Sequence, residues 1–452
     1  MQFELTKEYI DNLQEIIKKK DENEARKLME GLYPIDIAEI YDELHIDEAK
    51  FLYLLLDGDT AADVLAELEE DDRERFLKVL TSKIIARKFI DHMDSDDAAD
   101  VLGDLPEEKM EEVLSLIEDV EQAGDIVDLL HYDEDTAGGL MGKELVAINE
   151  NATVTACLRE IAAIAEEIDQ LYYMYVVDDD EILKGVLSLK QLLLSNTTSK
   201  VSSLYNADII SVRTEASSEE VAVIMDKYDL VALPVVDSIN RLVGRITIDD
   251  VVDVIREEAE KDYQMLSGIA EDVEPSDTIW LNTRARLPWL MIGLIGGILG
   301  ARVIGFYEAD LLKHASMAFF IPLIAAMGGN VGVQSSAIVV QGLANKTIYL
   351  ESTFKKILKE FAIGLLNGSI CASIVFIYNM FFSDTQALTV TVSLALLVVI
   401  IFASIFGTFV PLALNKFKID PALATGPFIT TVNDILGLLM YLVIGRTIFA
   451  MM

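Results

Sequence analysis

The sequence predicts a multidomain membrane protein: an all-α, acidic helical-repeat N-terminal domain, a tandem pair of α/β units, a connecting helix, and a five-helix transmembrane domain. Three observations predict it. Charge is sharply segregated along the chain, two internal repeats of different period occupy the first half, and five long apolar segments occupy the last part.

The charge comes first. From Arg284 onward eleven Lys and Arg face seven Asp and Glu, which leaves 25 basic and 69 acidic residues in the first 283. An acidic block of that size repels nucleic acid and anionic surfaces and makes cations its natural partners.

The first repeat is helical. Ala61-Ala62-Asp63-Val64-Leu65-Ala66-Glu67-Leu68 returns 37 positions later as Ala98-Ala99-Asp100-Val101-Leu102-Gly103-Asp104-Leu105, with weaker echoes at Ile37 to Leu44 and Thr136 to Met141. Apolar residues at helical spacing, and Pro106 followed by acids where a new helix would begin, predict short helix pairs stacked as a small right-handed solenoid over residues 1–130.

The second repeat is mixed. Met174-Tyr175-Val176-Val177-Asp178 and Leu183 to Leu189 recur 59 positions later as Leu233-Pro234-Val235-Val236-Asp237 and Leu242 to Ile248. Each unit reads as helix, β-branched strand, acidic turn, second strand through a Gly, and closing helix. The two units, 131–198 and 199–256, resemble a tandem pair of CBS domains, and that resemblance allows an adenine nucleotide such as ATP in the cleft. A connecting helix is expected over 257–283 and the transmembrane domain over 284–452.

Five apolar segments meet the roughly 20-residue requirement for a spanning helix: Leu287 to Tyr307, Ala315 to Leu343, Phe361 to Phe382, Ala387 to Leu414, and Pro421 to Ala450. Arg302 interrupts the first near its far end, where its side chain can snorkel to the interface. Lys346, Lys355, Lys356, Lys359, Lys416 and Lys418 fall in the even-numbered loops, with Arg284 and Arg286 before the first span; the odd-numbered loops carry only Lys313. This bias predicts a cytoplasmic N-terminal region and an outside C-terminus in a cell membrane. Met1 opens a charged amphipathic segment, not a signal peptide, and Cys157 and Cys371, one in each half, read as buried thiols.

Carboxylates crowd two places. Asp91, Asp94, Asp96, Asp97 and Asp100 lie within ten residues, and Asp249, Asp250, Asp253, Glu257, Glu258, Glu260 and Asp262 fill the helix leaving the second α/β unit. Asp96 with Asp100, Asp249 with Asp253, and Glu258 with Asp262 are four apart and share helix faces, where like charges repel until a divalent cation reverses the sign. The bland reading, a solvated acidic surface, holds for any single member better than for the set. The expected regulatory metal ligands are Asp63, Asp96, Asp100, Asp226, Asp229, Asp250, Asp253, Glu258 and Asp262. Lys261, among the acids of the connecting helix, can stand in for a metal beside one of them.

Asp434 is the only acid between Pro421 and Ala450, and the nearest cation in that stretch, Arg446, is twelve residues away. An ionisable group near a bilayer centre costs roughly 2.5–3.5 kcal/mol on insertion scales, so it persists with a partner or a function. Gly328 and Gly329 permit close backbone approach, and Asn330 and Gln334 present amide oxygens from one span. Pro427, placed inside the fifth span, is expected to free a carbonyl one turn earlier, beside Thr430 and Thr431.

The segments Pro322 to Gln334, Asp420 to Pro427 and Thr430 to Asp434 resemble the signature segments of the MgtE magnesium transporters and channels, and the order of domains agrees across nearly the whole chain. The resemblance implies a homodimer in the lipid bilayer with one Mg2+ pore between protomers, gated by cytosolic Mg2+, with no enzymatic step. Asp434, Gly328, Gly329 and Asn330 are then the expected pore residues. Mn2+, Co2+, Ni2+ and Ca2+ stand as alternative cargoes, and a membrane-anchored metal sensor that transports nothing is the rival class. An intramembrane aspartyl protease lacks its second membrane carboxylate in a Gly-x-Gly-Asp context.

Overall fold

The structure is a computed structural model that describes residues 3–164, 172–270, 273, 278–344, 352–383, 385–424 and 426–452. Lys346, Thr425 and nearly all of the join between connecting helix and first span lie outside the described residues. The chain divides into two compact units, Met1–Arg256 and Glu257–Met452.

The first unit opens with short helices: α1 (Lys7–Lys19), α2 (Glu22–Met29), α3 (Pro34–Asp42), α4 (Ile46–Tyr53), α5 (Gly58–Ala66), α6 (Glu70–Lys78), α7 (Ser82–Ile84), α8 (Ser95–Gly103), α9 (Glu107–Leu114) and α10 (Val120–Leu129). The 37-residue repeat is visible as structure, because α5 and α8, and then α6 and α9, begin at equivalent positions. Asp57 and Asp94 occupy the two N-caps, and the Asp57 carboxylate accepts from Thr60 N at 3.0 Å. Pro106 is the N-cap of α9. Non-consecutive helices are tied by lysines that donate to carbonyls at helix ends and in the loops between them: Lys50 Nζ donates to Val79 O at 2.8 Å, Lys88 Nζ to Leu56 O, and Lys109 Nζ to Leu77 O and Leu80 O at 2.6 and 3.0 Å. Tyr53, Phe76 and Phe89 form the fully buried spine of this core.

The echo at Thr136 to Met141 is not helical. Its backbone is taken by the second α/β unit: Ala137 N and Gly138 N donate to Ala216 O and Thr214 O, and Gly142 bridges Arg245. The apolar residues that mimic the helical repeat there serve a different contact, with Met141 fully buried in a core that runs on into Val212, Val221, Leu233, Val235 and Ile246.

Each α/β unit is a three-stranded sheet with one parallel and one antiparallel pairing: β1 (Val146–Asn149), β2 (Met174–Val177) and β3 (Leu183–Leu187), then β4 (Val212–Arg213), β5 (Ala232–Val236) and β6 (Leu242–Thr247). Helices α11 (Val154–Ile164) and α12 (Leu189–Leu194) accompany the first sheet, and α13 (Ser218–Tyr228) the second. The 59-residue offset extends to fine detail: both hairpins shift register at equivalent points, Val176/Val177 and Val235/Val236, and both turns use a left-handed residue, Glu181 and Asn240. Leu183 N donates to Asn240 O and Leu242 N to Glu181 O, so the two hairpins exchange equivalent bonds.

Helix α14 (Ile248–Ser267) is unbroken, and the expected boundary between second α/β unit and connecting helix falls inside it. The second unit continues with α15 (Ile279–Phe306), α16 (Glu308–Lys313), α17 (Ile321–Ala344), α18 (Thr353–Phe382), α19 (Gln386–Lys416) and α20 (Gly426–Met451). Five helices are long and apolar enough to cross a membrane, matching the five expected spans in order. Helix α19 is the packed centre, with its buried face running from Ala387 to Pro411. Two expectations change here. Helix α18 starts eight residues before Phe361 and so takes in Glu360. Pro427 is the second residue of α20 rather than an interior one; in the first turn its missing N–H has no helical partner to lose, so no interior carbonyl is freed.

Candidate functional site

In the first unit, α8 and the start of α14 bring acids together. Thr247 precedes α14; its N donates to the Asp250 carboxylate at 2.9 Å and its hydroxyl lies between the Asp249 and Asp250 carboxylates, 2.8 Å from the latter, fixing Asp250 at the helix start. Burial, the nearby Asp250 and then Asp97, Glu144 and Asp94 hold the Asp96 carboxyl well above its usual range. Partial desolvation among the crowded acids, with Asp100 and Asp250 adding, pushes Asp97 up to about 7 although its side chain still meets solvent. Desolvation by its neighbours takes Asp100, whose side chain is still exposed, to about 7 against the relieving charge of Arg73, and takes the half-buried Asp250 to about 6 against its Thr247 hydrogen bonds. Arg73 is itself bound to Asp104 at 2.6 Å. Oxygens of Asp94, Asp96 and Glu144 lie within 4.8 Å of one another, and Glu144 is oriented by Ser95 N and Oγ at 2.9 and 3.1 Å. These are hard oxygen donors crowded with too little positive charge, the condition that Mg2+ relieves.

A second group forms around Glu67. Burial raises its pKa first, Asp253 and Asp63 add to the rise, and Arg256 opposes it. Arg256 lies 3.8 Å from Asp253 and 4.0 Å from Glu69.

Of the expected regulatory residues, Asp96, Asp100 and Asp250 meet in the first group, and Asp63 and Asp253 in the second. Asp226 and Asp229 sit exposed at the C-terminal end of α13, where Asp229 is the left-handed cap and its N–H closes on Asp226 O; among the described residues neither side chain has an ion pair. Glu258 lies 3.4 Å from Lys261, as the placement of that lysine suggested, and Asp262 follows one residue on in the same helix. Sequence reasoning noticed Asp94 and Asp97 but did not select them, and it missed Glu67 and Glu144. Glu144 stands outside both repeats, so no pattern announces it. Asp91 has a structural role, since it accepts from Glu118 N at 3.0 Å and pairs with Arg87 at 3.4 Å.

In the second unit, Gly329 of α17 lies against Asp434 of α20: a Cβ built at Gly329 would stand 3.3 Å from Asp434 Oδ1 and 3.0 Å from the Thr430 methyl. Gly328 faces Val399 and the Asn433 carbonyl. One turn along, a Cβ at Gly332 would fall 1.9 Å from Asn433 Nδ2, so glycine is what lets α17 and α20 approach. Within the described residues Asp434 has no ion pair or hydrogen bond, whereas Glu360 accepts from Ser335 Oγ at 2.6 Å and Ser404 Oγ at 2.9 Å, and Arg446 is 3.8 Å from Asp310. Asn330 and Gln334, one turn apart on α17, present their amides on the exposed face of this unit. Thr430 gives its hydroxyl proton to Gly426 O at 2.9 Å.

Oxygen-rich acidic groups in one unit and an unmatched carboxylate within an apolar bundle in the other are the marks of a multi-pass membrane protein that handles cations. Residues 321–444 match the family MgtE, described as a divalent cation transporter; residues 32–135 match the MgtE intracellular N domain, and 137–195 and 201–257 match CBS domains. The chain is similar to the magnesium transporters MgtE of Thermus thermophilus (33% identity, 96% of this chain and 97% of the relative), Bacillus subtilis (34%, 92% of each) and Enterococcus faecalis (37%, 95% and 94%). Among solved structures it is similar to the cytosolic domain of the Mg2+ channel MgtE in complex with ATP, at 36% identity and a TM-score of 0.51, covering 54% of this chain and 99% of that one. The soluble part of a magnesium transporter aligns at 33% identity and a TM-score of 0.50, covering 56% and 98%. The chain belongs to the MgtE family of divalent cation transporters.

Proposed function

We propose that this chain admits Mg2+ through a pore at the axis of a homodimer, with the N-terminal unit in the cytoplasm and the C-terminus outside, and that cytosolic Mg2+ closes the pore. The observation that carries the pore is Asp434 set against Gly329 without a counter-charge, on a unit whose α17 also exposes Asn330 and Gln334. Amide and carboxylate groups at membrane depth are tolerated where they face water or a partner subunit rather than lipid. Two Asp434 carboxylates brought to a two-fold axis would repel strongly unless a dication lay between them. A largely hydrated ion suits Mg2+, which gives up water reluctantly.

For closure, Asp94, Asp96, Asp97, Asp100, Glu144 and Asp250 would hold regulatory Mg2+ in the first group, and Asp63, Glu67 and Asp253 in the second. The ion would add positive charge to the little that Arg73 and Arg256 already bring to these carboxylates. Helix α14 carries Asp250 and Asp253 at one end and Glu258 and Asp262 further along, and so links the acids to the membrane unit. The CBS pair takes ATP in this reading, as does the similar cytosolic domain.

The test is Mg2+ flux into liposomes holding the purified full-length protein, with patch recording at graded cytosolic Mg2+. Asp434→Ala abolishes flux, and Asp250→Ala with Asp253→Ala leaves conduction but weakens inhibition. Undiminished flux in the first variant, or unaltered inhibition in the second, refutes the corresponding half.

A further inference from the structure

The arginine that interrupts the first span has no part in the proposed pore, and its surroundings are distinctive. Leu299, Arg302, Val303 and Phe306 follow i, i+3, i+4, i+7 spacing and form one stripe of α15. Facing them, Ile435 and Leu439 lie one turn apart on α20, and between the two helices runs a groove of about 340 Å³. Tyr307 completes its lining and its walls are apolar, the aliphatic part of Arg302 included; the Arg302 side chain is exposed and has no acidic partner among the described residues. By contrast Arg446, the one arginine after α15, lies 3.8 Å from Asp310.

Arg302 is four residues from the end of α15, roughly 6 Å along the axis, so its long side chain reaches the headgroup level while its stem stays against the groove. Phe306, 77% exposed, stacks edge to face at 5.3 Å on the buried Tyr307, which puts an exposed aromatic ring at that same end, as interfacial belts do. An uncompensated guanidinium over an apolar slot within a spanning helix is complementary to one kind of occupant: an acyl chain below and a phosphate above.

We propose that this groove is a binding site for an acidic phospholipid, its phosphodiester bound by Arg302 and one acyl chain lying along Leu299, Val303, Phe306, Ile435 and Leu439. A second copy of the chain is the competing occupant, and helix geometry disfavours it. At about 100° per residue, Ile435 and Leu439 point roughly 100° and 140° around α20 from Asp434, so the groove is about a third of a turn away from the face assigned to the two-fold axis. A guanidinium at the axis would also oppose a passing cation.

The experiment is native mass spectrometry of the full-length protein, carried in detergent with equal phosphatidylglycerol and phosphatidylcholine and then progressively delipidated. The wild type retains phosphatidylglycerol preferentially, and Arg302→Gln loses that retained lipid about tenfold or more, the scale of a charge-assisted hydrogen bond. Arg302→Lys, which keeps the charge, retains it in part. Leu439→Trp fills the slot and releases the lipid with the arginine intact. Thermal melting confirms that each variant is folded, and if Arg302→Gln is not, Leu439→Trp decides. Retention unchanged in Arg302→Gln, equal loss in Arg446→Gln, or efficient disulfide cross-linking of two copies through Leu439→Cys in native vesicles would each overturn the assignment. None of these readouts depends on flux, so failure of the pore reading leaves the test intact.

Discussion

At the scale of single residues, charge without compensation separates function from architecture. Glu360 is an acid in a spanning helix, yet two serines satisfy it, so its substitution by Gln should affect packing and leave ion selectivity alone. Among the described residues Asp434 has no such partners, and Asp434→Asn keeps size while removing charge. The expected outcome is loss of most Mg2+ flux with an unchanged melting temperature. Asp97 and Asp100 allow a pH test. Their folded pKa values, near 7, exceed the unfolded carboxylate value of about 3.9, so the folded state binds protons more tightly and loses stability as pH rises across that interval. In chelator, the melting temperature should therefore climb as pH is lowered from 8 to 5, and Asp100→Asn should flatten that slope. A slope identical to wild type would show that Asp100 is hydrated and unstrained. Asp434 and Gly329 were legible in the sequence because an isolated acid and a glycine pair stand out in apolar surroundings. Glu144 was not, because nothing in its local pattern records that the chain returns to α8.

At the scale of elements, the repeats were the most legible part. A period of 37 or 59 residues fixes which helices and strands are equivalent, and the structure carries that equivalence into N-caps, register shifts and left-handed turn residues. The echo at Thr136 to Met141 failed because composition alone does not say which neighbour will take a segment's backbone hydrogen bonds. Pro427 was misplaced by a related difficulty: the apolar segment reads on without a charge from Pro421, and the break at the start of α20 is a matter of backbone geometry, with Gly426 at φ +52°. The lysine ties between helices were equally invisible, since a surface lysine and a lysine that caps a neighbouring helix look alike in one dimension. Lys109 donates to two carbonyls, so Lys109→Met, which keeps the aliphatic stem, should destabilise the helical domain by roughly 1–3 kcal/mol in urea unfolding. No change would mean that water closes those carbonyls equally well.

At the scale of the whole molecule, the division of charge is the controlling feature. A body carrying 69 acids against 25 bases holds its carboxylates together against their own repulsion, and any dication that binds the folded form alone stabilises it by mass action. Millimolar Mg2+ should therefore raise the melting temperature of the full-length protein at pH 8, and by much less at pH 5, where protons already neutralise the crowded groups. A Mg2+ shift of equal size at both pH values would place the ions elsewhere. The architecture of five apolar helices behind an acidic body was readable from hydropathy and charge alone, whereas the partition of acids into two groups required the fold. One joint in the second unit has a mechanical corollary. The carbonyl of Leu266 lies 2.7 Å from where a Cβ on Gly426 would be, and the Pro427 ring lies 2.6 Å from where one on Gly268 would be. The end of α14 thus bears on the root of α20 through a backbone carbonyl on one side and a rigid proline ring on the other, a hinge pin with no cushion of rotatable atoms to absorb slack. Gly268→Ala would jam that bearing, and the expected signature is a displaced Mg2+ inhibition curve in patch recordings with single-channel conductance preserved.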